Sequence, residues 1–235
     1  MRTLDEAGLL DLWESGQDRH PIDRALLLCA WARPDVAPGR FAQLPLGVVN
    51  TELLRMRAAL FGARVEVQLD CEHCGQHLEL ELDIGELLAD ADTQDARADV
   101  ALQGFRFRVP HSRDLAALAH ETDAQAAALR LLERCCVARP DGPAALADVL
   151  SEAEEQLEAV DPLADLRLSV ACEACGQMTQ ASLDAGSLVW DDVHKHARGL
   201  LGQVHSLAQA YGWTEGEVLA LSPARRAAYL DLLRV

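Results

Sequence analysis

Cys71-Glu72-His73-Cys74-Gly75-Gln76, running on to Leu82-Asp83-x-Gly85-x-Leu87, returns later in the chain. The second copy is Cys172-Glu173-Ala174-Cys175-Gly176-Gln177, running on to Leu183-Asp184-x-Gly186-x-Leu188. Every matched position is displaced by 101 residues. Before the first copy, Val65, Val67 and Leu69 alternate with Glu66, Gln68 and Asp70; after it, Leu78, Leu80 and Leu82 alternate with Glu79, Glu81 and Asp83. Period two predicts a strand on either side of the cysteines. Leu166, Leu168 and Val170 repeat the pattern before the second copy, and a weaker strand follows it to Leu183.

Two thiolates separated by two residues reach one ion only if the backbone curls tightly, and Gly75 and Gly176 permit the left-handed conformation that such a curl needs. One knuckle offers two ligands, whereas a structural zinc site takes four in a tetrahedron. Cys71, Cys74, Cys172 and Cys175 therefore form the candidate metal site, a zinc ribbon split by a long insertion, with one structural zinc per chain expected. A thioredoxin-like redox pair would open a helix, and strands flank both pairs here. Iron in a rubredoxin-like site uses the same ligands, so spacing leaves zinc and iron both open. Two free thiol pairs that have lost their metal are the remaining alternative. His73 becomes Ala174 in the second copy, which marks it as a surface residue rather than a ligand.

The flanking regions read as helices. Thr3-x-x-Glu6 forms a capping box before Leu9, Leu10, Leu12 and Trp13; Pro21 opens a second helix and a third covers about 48–61, stopping at Gly62. A hairpin is expected over 99–109 with its turn at Gln103-Gly104. Residues 112–138 read as helical with a break near Thr122-Asp123, and 144–160 as a further helix. From about Ser187 the chain is helical, with Thr214-x-x-Glu217 and Ser222-Pro223 opening two short final helices. The expected fold is α+β and mostly helical, with two β-hairpin knuckles. It divides into an N-terminal helical region (1–63), the first knuckle hairpin and the following hairpin (64–110), a helical insertion (111–162), the second knuckle hairpin (163–186) and a C-terminal helical region (187–235).

Composition bounds the function. The chain has 235 residues, half of them hydrophobic, which suffices for one large or two small cores. Acidic residues number 38 against 21 basic, a net charge of −17, and Lys195 is the single lysine. Residues 66–99 carry eleven acids and one base; residues 141–192 carry twelve and one. Both knuckles thus sit in acidic blocks, which disfavours nucleic acid as a partner and suits a solvated surface or a docking face for a basic protein. No run of about 18 uncharged apolar residues occurs, so no membrane span is expected. The acidic start lacks a signal-peptide core, so the expected location is the cytoplasm unless something larger carries the chain out. Cys29, Cys135 and Cys136 read as buried small hydrophobes. His194 and His196, beside Asp191 and Asp192, read as an exposed helix start, and His111, His120 and His205 have no companions at catalytic spacing. With no nucleophile elbow, phosphate loop or metallohydrolase motif, no enzyme and no small-molecule substrate are expected.

Two stretches carry a resemblance. Leu44-Pro45-Leu46-Gly47-x-x-Asn50-x-x-Leu53-Leu54, then Phe61-Gly62 and Cys71-x-x-Cys74-Gly75, resembles proteins encoded beside contractile injection systems. Leu207-Ala208-x-x-Tyr211-Gly212-Trp213, continuing through Val218-Leu219-x-Leu221 to Arg225-Arg226-x-x-Tyr229-Leu230, is similar to the C-terminal signature of baseplate proteins of T-even-type contractile phages. The resemblance implies a non-enzymatic baseplate component or assembly chaperone whose partners are baseplate, hub or spike proteins. It supplies no catalytic residues. Aromatic and arginine side chains commonly anchor interfaces, so Trp213, Arg225, Arg226 and Tyr229 are the candidate partner surface. The rival expectation is a zinc-ribbon nucleic-acid or transcription adapter.

Overall fold

The computed structural model describes residues 5–37, 39–89, 99–141 and 145–233. Thr3 of the expected capping box lies outside them. The first helix, α1 (Glu6–Gly16), is capped by Asp5, whose carboxylate accepts from the Gly8 N–H at 2.7 Å. Helix α2 (Pro21–Ala32) has proline in its first turn, where the missing N–H costs nothing. Helix α3 (Leu46–Phe61) follows a Pro- and Gly-rich loop. Strands β1 (Arg64–Asp70) and β2 (His77–Asp83) pair antiparallel, and Asp83 then caps the single turn α4 (Ile84–Leu87).

The middle of the chain departs from expectation in one element. Strands β3 (Val100–Leu102) and β4 (Phe105–Phe107) form the expected hairpin. Helices α5 (Ser112–Leu118) and α6 (Ala124–Cys135) are separated by the expected break, where the Asp123 side chain accepts from the Ala126 N–H. Residues 136–138 are not helical: they form β5 (Cys136–Ala138) on the open edge of β4. That edge offers hydrogen bonds that one more helical turn could not supply to β4. The expected helix over 144–160 begins as a 3-10 turn, Leu146–Val149, and becomes α7 (Leu150–Val160). The β3–β4 hairpin shares its core with these helices, since Val100, Leu102, Phe105 and Phe107 pack with Leu132, Val149 and Ala153.

A 3-10 turn, Pro162–Ala164, leads to β6 (Leu166–Ala171) and β7 (Met178–Leu183). Asp184 then caps α8 (Ala185–Tyr211), 27 residues or about 40 Å long. Two short helices, α9 (Glu215–Leu219) and α10 (Pro223–Leu232), close the chain, with the Thr214/Glu217 capping box and the Ser222 cap in place. The fold is mixed α+β, with helices predominating over small antiparallel sheets.

The main core lies between α1, α2, α3 and α8. Leu12, Leu28, Leu54, Met56, Val189 and Val193 are buried in it, and each such side chain contributes roughly 1.5–3 kcal/mol. Two buried arginines stitch this body across long sequence separations. Arg57 on α3 donates from Nε to Asp192 on α8 at 3.0 Å, and its other donors reach the Gly62 and Arg64 carbonyls. Arg226 on α10 is 1% exposed; it donates to Gln203 at 3.1 Å, to the Leu221 carbonyl at 2.8 Å and to Glu6 of α1. The middle region has its own polar hub. Asp114, fully buried, accepts from Arg108, from Arg134 and from the His111 N–H. Desolvation raises its carboxyl, but the Arg108 hydrogen bonds and the His111 N–H outweigh that and hold it below the ordinary value.

The residues from 44 to 50 that carry the first resemblance have a mechanical role. Gly47 brings the start of α3 against Asp161, whose carboxylate accepts from the Gly47 N–H at 3.1 Å. A Cβ at Gly47 would lie 1.9 Å from Asp161 Oδ1. Asn50 Nδ2 donates to the Leu163 carbonyl at 2.8 Å. Together they seat the 3-10 turn from which β6 departs. Gly47→Ala is expected to destabilise the protein by about 2–4 kcal/mol through this overlap. Adding Asp161→Ala, which removes the clashing oxygen, should recover part of that loss in a double-mutant cycle read by denaturant unfolding. Equal and additive losses would refute the contact.

Candidate metal centre

Each knuckle is built by the same backbone bonds. In the first, the Cys71 N–H donates to the Gln76 carbonyl at 2.9 Å and the Gly75 N–H to the Cys71 carbonyl at 2.8 Å; in the second, Cys172 to Gln177 and Gly176 to Cys172 repeat both distances. Gly75 and Gly176 both have φ +71°, the left-handed region in which a Cβ is penalised. The hairpins also share their register, since Asp70↔His77 and Leu69↔Leu78 map onto Ala171↔Met178 and Val170↔Thr179 by the same 101 residues.

The two tips meet. Cys71 Sγ lies 3.8 Å from Cys175 Sγ, and Cys74 Sγ lies 3.7 Å from Cys172 Sγ. All four ligand atoms fall within 4.8 Å of one another. A tetrahedron with metal–sulfur bonds of about 2.3 Å has edges of about 3.8 Å, so the crossed pairs already stand at the separation that such an ion requires. Among the described residues this is the one cluster of three or more His, Cys, Asp or Glu groups able to hold a metal. Cys71 and Cys172 are buried, whereas Cys74 and Cys175 are exposed.

Electrostatics divide the four thiols in the same way. The His73 and Cys74 N–H groups point at Cys71 and hold its thiol below the ordinary value. The Cys175 and Ala174 N–H groups act likewise on Cys172, which falls to about 7. At Cys74 the Gln76 N–H pulls downward, but desolvation and the neighbouring thiols Cys172, Cys175 and Cys71 prevail and raise it to about 12. Cys175 is raised for similar reasons, against the pull of the Gln177 N–H. In each pair the backbone N–H groups favour the thiolate of the first cysteine, whereas burial and the neighbouring thiols disfavour that of the second. A coordinated dication deprotonates such thiols outright.

The remaining candidates separate from this centre. Cys29 and Cys135 are buried thiols raised to about 12 by desolvation, as small core residues should be; Cys136 is only half-buried. His194 and His196 are exposed and otherwise engaged: His194 Nδ1 accepts from Trp13 Nε1 at 3.0 Å, and His196 packs on Phe61 at 4.5 Å. Asp192 serves Arg57. His73 is exposed, as expected of a surface residue, yet its Nε2 lies 3.1 Å from the Met178 carbonyl. Beside it the Glu72 N–H donates to the buried Thr179 hydroxyl at 3.2 Å. In the sequence these bridges between the hairpins are marked only by a pair of mismatches between the copies, His73 against Ala174 and Leu78 against Thr179.

At the C-terminus Trp213 and Tyr229 meet edge to face at 4.9 Å, and Tyr211 stacks on Trp213 at 4.7 Å. Arg225 is exposed. The buried Arg226 is corrected from docking residue to internal cross-link: its donors are consumed by Gln203, Leu221 and Glu6. Among the described residues no helix is long and apolar enough to cross a membrane. Comparison with known proteins finds no family model, no curated protein and no solved structure that matches the chain.

Metal binding at this site displaces thiol protons, so affinity should fall with pH. Metal-free protein titrated with zinc at neutral pH is expected to take up one ion per chain. Release is expected on acidification, at a pH below the values of the free thiols, because the bound ion itself keeps its ligands deprotonated. Cys172→Ser should abolish stoichiometric uptake. Uptake that is unchanged in Cys172→Ser, measured by elemental analysis after desalting, would place the ion elsewhere.

Proposed function

We propose that this chain is a non-enzymatic assembly protein, a baseplate component or assembly chaperone of a phage-tail-like contractile injection system. In this proposal its two β-hairpins are locked by one structural zinc ion. The observation that carries the architectural part is the convergence of four sulfurs, from hairpin tips 101 residues apart, to within 4.8 Å of one another. Four thiolates complete the coordination of zinc and leave no open position for a substrate, which is the arrangement of structural sites rather than catalytic ones. The ion would tie the chain between the hairpins into a closed loop, so its binding free energy becomes folding free energy for both halves. The injection-system part rests on the two resembling stretches. Gly47 and Asn50 in the first seat the second hairpin, and Tyr211, Trp213 and Tyr229 in the second form one aromatic cluster. Arg225, exposed on α10 four residues before Tyr229, is the proposed contact to a baseplate, hub or spike protein.

Deletion of the gene should leave no assembled sheathed particles, and the intact gene should restore them. Arg225→Glu is expected to keep its fold and metal content but to reduce particle yield several-fold. Arg226→Glu should fail differently: a carboxylate beside Glu6 in a buried position costs about 3–5 kcal/mol and should lower thermal stability. Normal particles from the deletion strain would refute the proposal.

The rival reading, a nucleic-acid adapter, draws on the same ribbon-like site but conflicts with its charge. Residues 66–83 hold six carboxylates and no lysine or arginine, which opposes the counterion release that drives phosphate binding. Duplex DNA and RNA are expected to show no micromolar binding at near-physiological salt in a gel-shift titration; a tight, salt-sensitive complex would favour the adapter.

A further inference from the structure

The two knuckles are related by a pseudo-twofold axis through the sulfur cluster, because the crossed Cys71–Cys175 and Cys74–Cys172 separations are equivalent under the 101-residue offset. The surroundings break this symmetry. On one side of the axis, the first knuckle reaches the second hairpin through His73 to the Met178 carbonyl and through the Glu72 N–H to Thr179. On the other side, the equivalent positions are Ala174 opposite His77 and Glu173 opposite Leu78. Ala174 has no ring to reach a carbonyl, and Leu78 has no hydroxyl to accept an N–H. A groove of about 430 Å³ lies there, lined by residues 76–80 and by Val170, Ala171, Glu173 and Ala174.

The lining identifies what the groove offers. Successive residues of a strand point to opposite faces, so a wall made of residues 76–80 in unbroken sequence is the edge of β2. Among the described residues the sheet has two strands, and β1 occupies the other edge of β2. Outward N–H and C=O groups on such an edge accept an added strand. Leu78 and Val170 provide apolar surface, while Glu79 and Glu173 put exposed carboxylates on the rim. A second copy of the chain would bring another −17 to this acidic hairpin. We infer that the groove between β2 and β6 receives an extended, lysine- or arginine-bearing segment of a partner protein as an added strand on the free edge of β2. The inference deepens the assembly proposal by naming the chemistry of one partner.

The test uses the full chain, zinc-loaded, with a fluorescein-labelled Lys-Val-Lys-Val-Lys-Val-Lys peptide and anisotropy as the readout. Saturable binding is expected, weakened by added salt. N-methylation of alternate peptide nitrogens should weaken it about tenfold or more, because strand addition needs backbone donors. Ala174→His, which should rebuild on this side the bridge that His73 makes on the other, is expected to cause a comparable loss while metal content and melting temperature stay unchanged. Glu79→Lys with Glu173→Lys should also weaken binding. Absence of binding overturns the inference, and so does binding indifferent to N-methylation and to Ala174→His, which would be general attraction to an acidic surface. Elemental analysis of the same samples separates the two proposals. Peptide binding by a chain that takes no metal would sink the zinc clamp and leave the groove standing. A fully metallated chain that ignores the peptide would sink the groove alone.

Discussion

Four sulfurs within 4.8 Å of one another, drawn from hairpins 101 residues apart, are the constraint that the other elements serve. Neither hairpin has a core large enough to stand alone, since an isolated two-stranded hairpin is marginal in water. Each is therefore rooted in the helical body. The first leaves α3 at Gly62 and ends on the Asp83 cap of α4; the second leaves the Gly47- and Asn50-bound turn and ends on the Asp184 cap of α8. Arg57 then fixes one root to the other. It holds the Gly62 and Arg64 carbonyls at the base of β1 and, on α8, the Asp192 carboxylate. The body thus holds both hairpins at their roots. Thiolates crowded at the tips would repel one another, and a cation would convert that repulsion into a bond.

The duplication explains why the site was the most legible part of the sequence. Cys-x-x-Cys-Gly-Gln and Leu-Asp-x-Gly each specify a local event, a left-handed turn and a capped helix start, and each occurs twice with the same spacing. Period-two alternation gave the strands for the same reason: one face of each hairpin meets the chain and the other meets water. Local chemistry of this kind survives whatever the tertiary environment does. The Thr122-Asp123 break, the Gln103-Gly104 turn and the Thr214/Glu217 cap belong to the same class and fall where the sequence places them.

What the sequence did not disclose depends on partners remote along the chain. Residues 136–138 continue an apolar helical pattern, yet the unpaired edge of β4 claims them as a strand. Arg225 and Arg226 are identical residues side by side, and a helix turns adjacent side chains about 100° apart. One had to face inward, but only Gln203 and Glu6, supplied by α8 and α1, determine which. The bridges from His73 and Glu72 to the second hairpin are invisible for the same reason. Sequence comparison of the copies marks the positions that differ, and only the folded pair gives the difference a meaning.

Arginine usage connects these points to the surface charge. All but one of the 21 basic residues are arginine, and the two that are buried among the described residues act as cross-links that lysine could not replace. Arg57 and Arg226 each engage three groups at once, which a planar fork of donors does without rotamer compromise and a single ammonium does not. Asp114 takes up Arg108 and Arg134 in the same manner. Much of the positive charge is thereby spent inside the chain against specific carboxylates. The first hairpin, Arg64–Asp83, sets six carboxylates against the single exposed Arg64, which lies 3.5 Å from Glu81. The two parts of the molecule consequently differ in how their charge is met: the buried arginines of the helical body face specific carboxylates, and the first arm carries net negative charge beside a strand edge that no other described strand pairs with. A ligand that supplies both cations and backbone donors complements that arm in the two respects in which the chain leaves it incomplete.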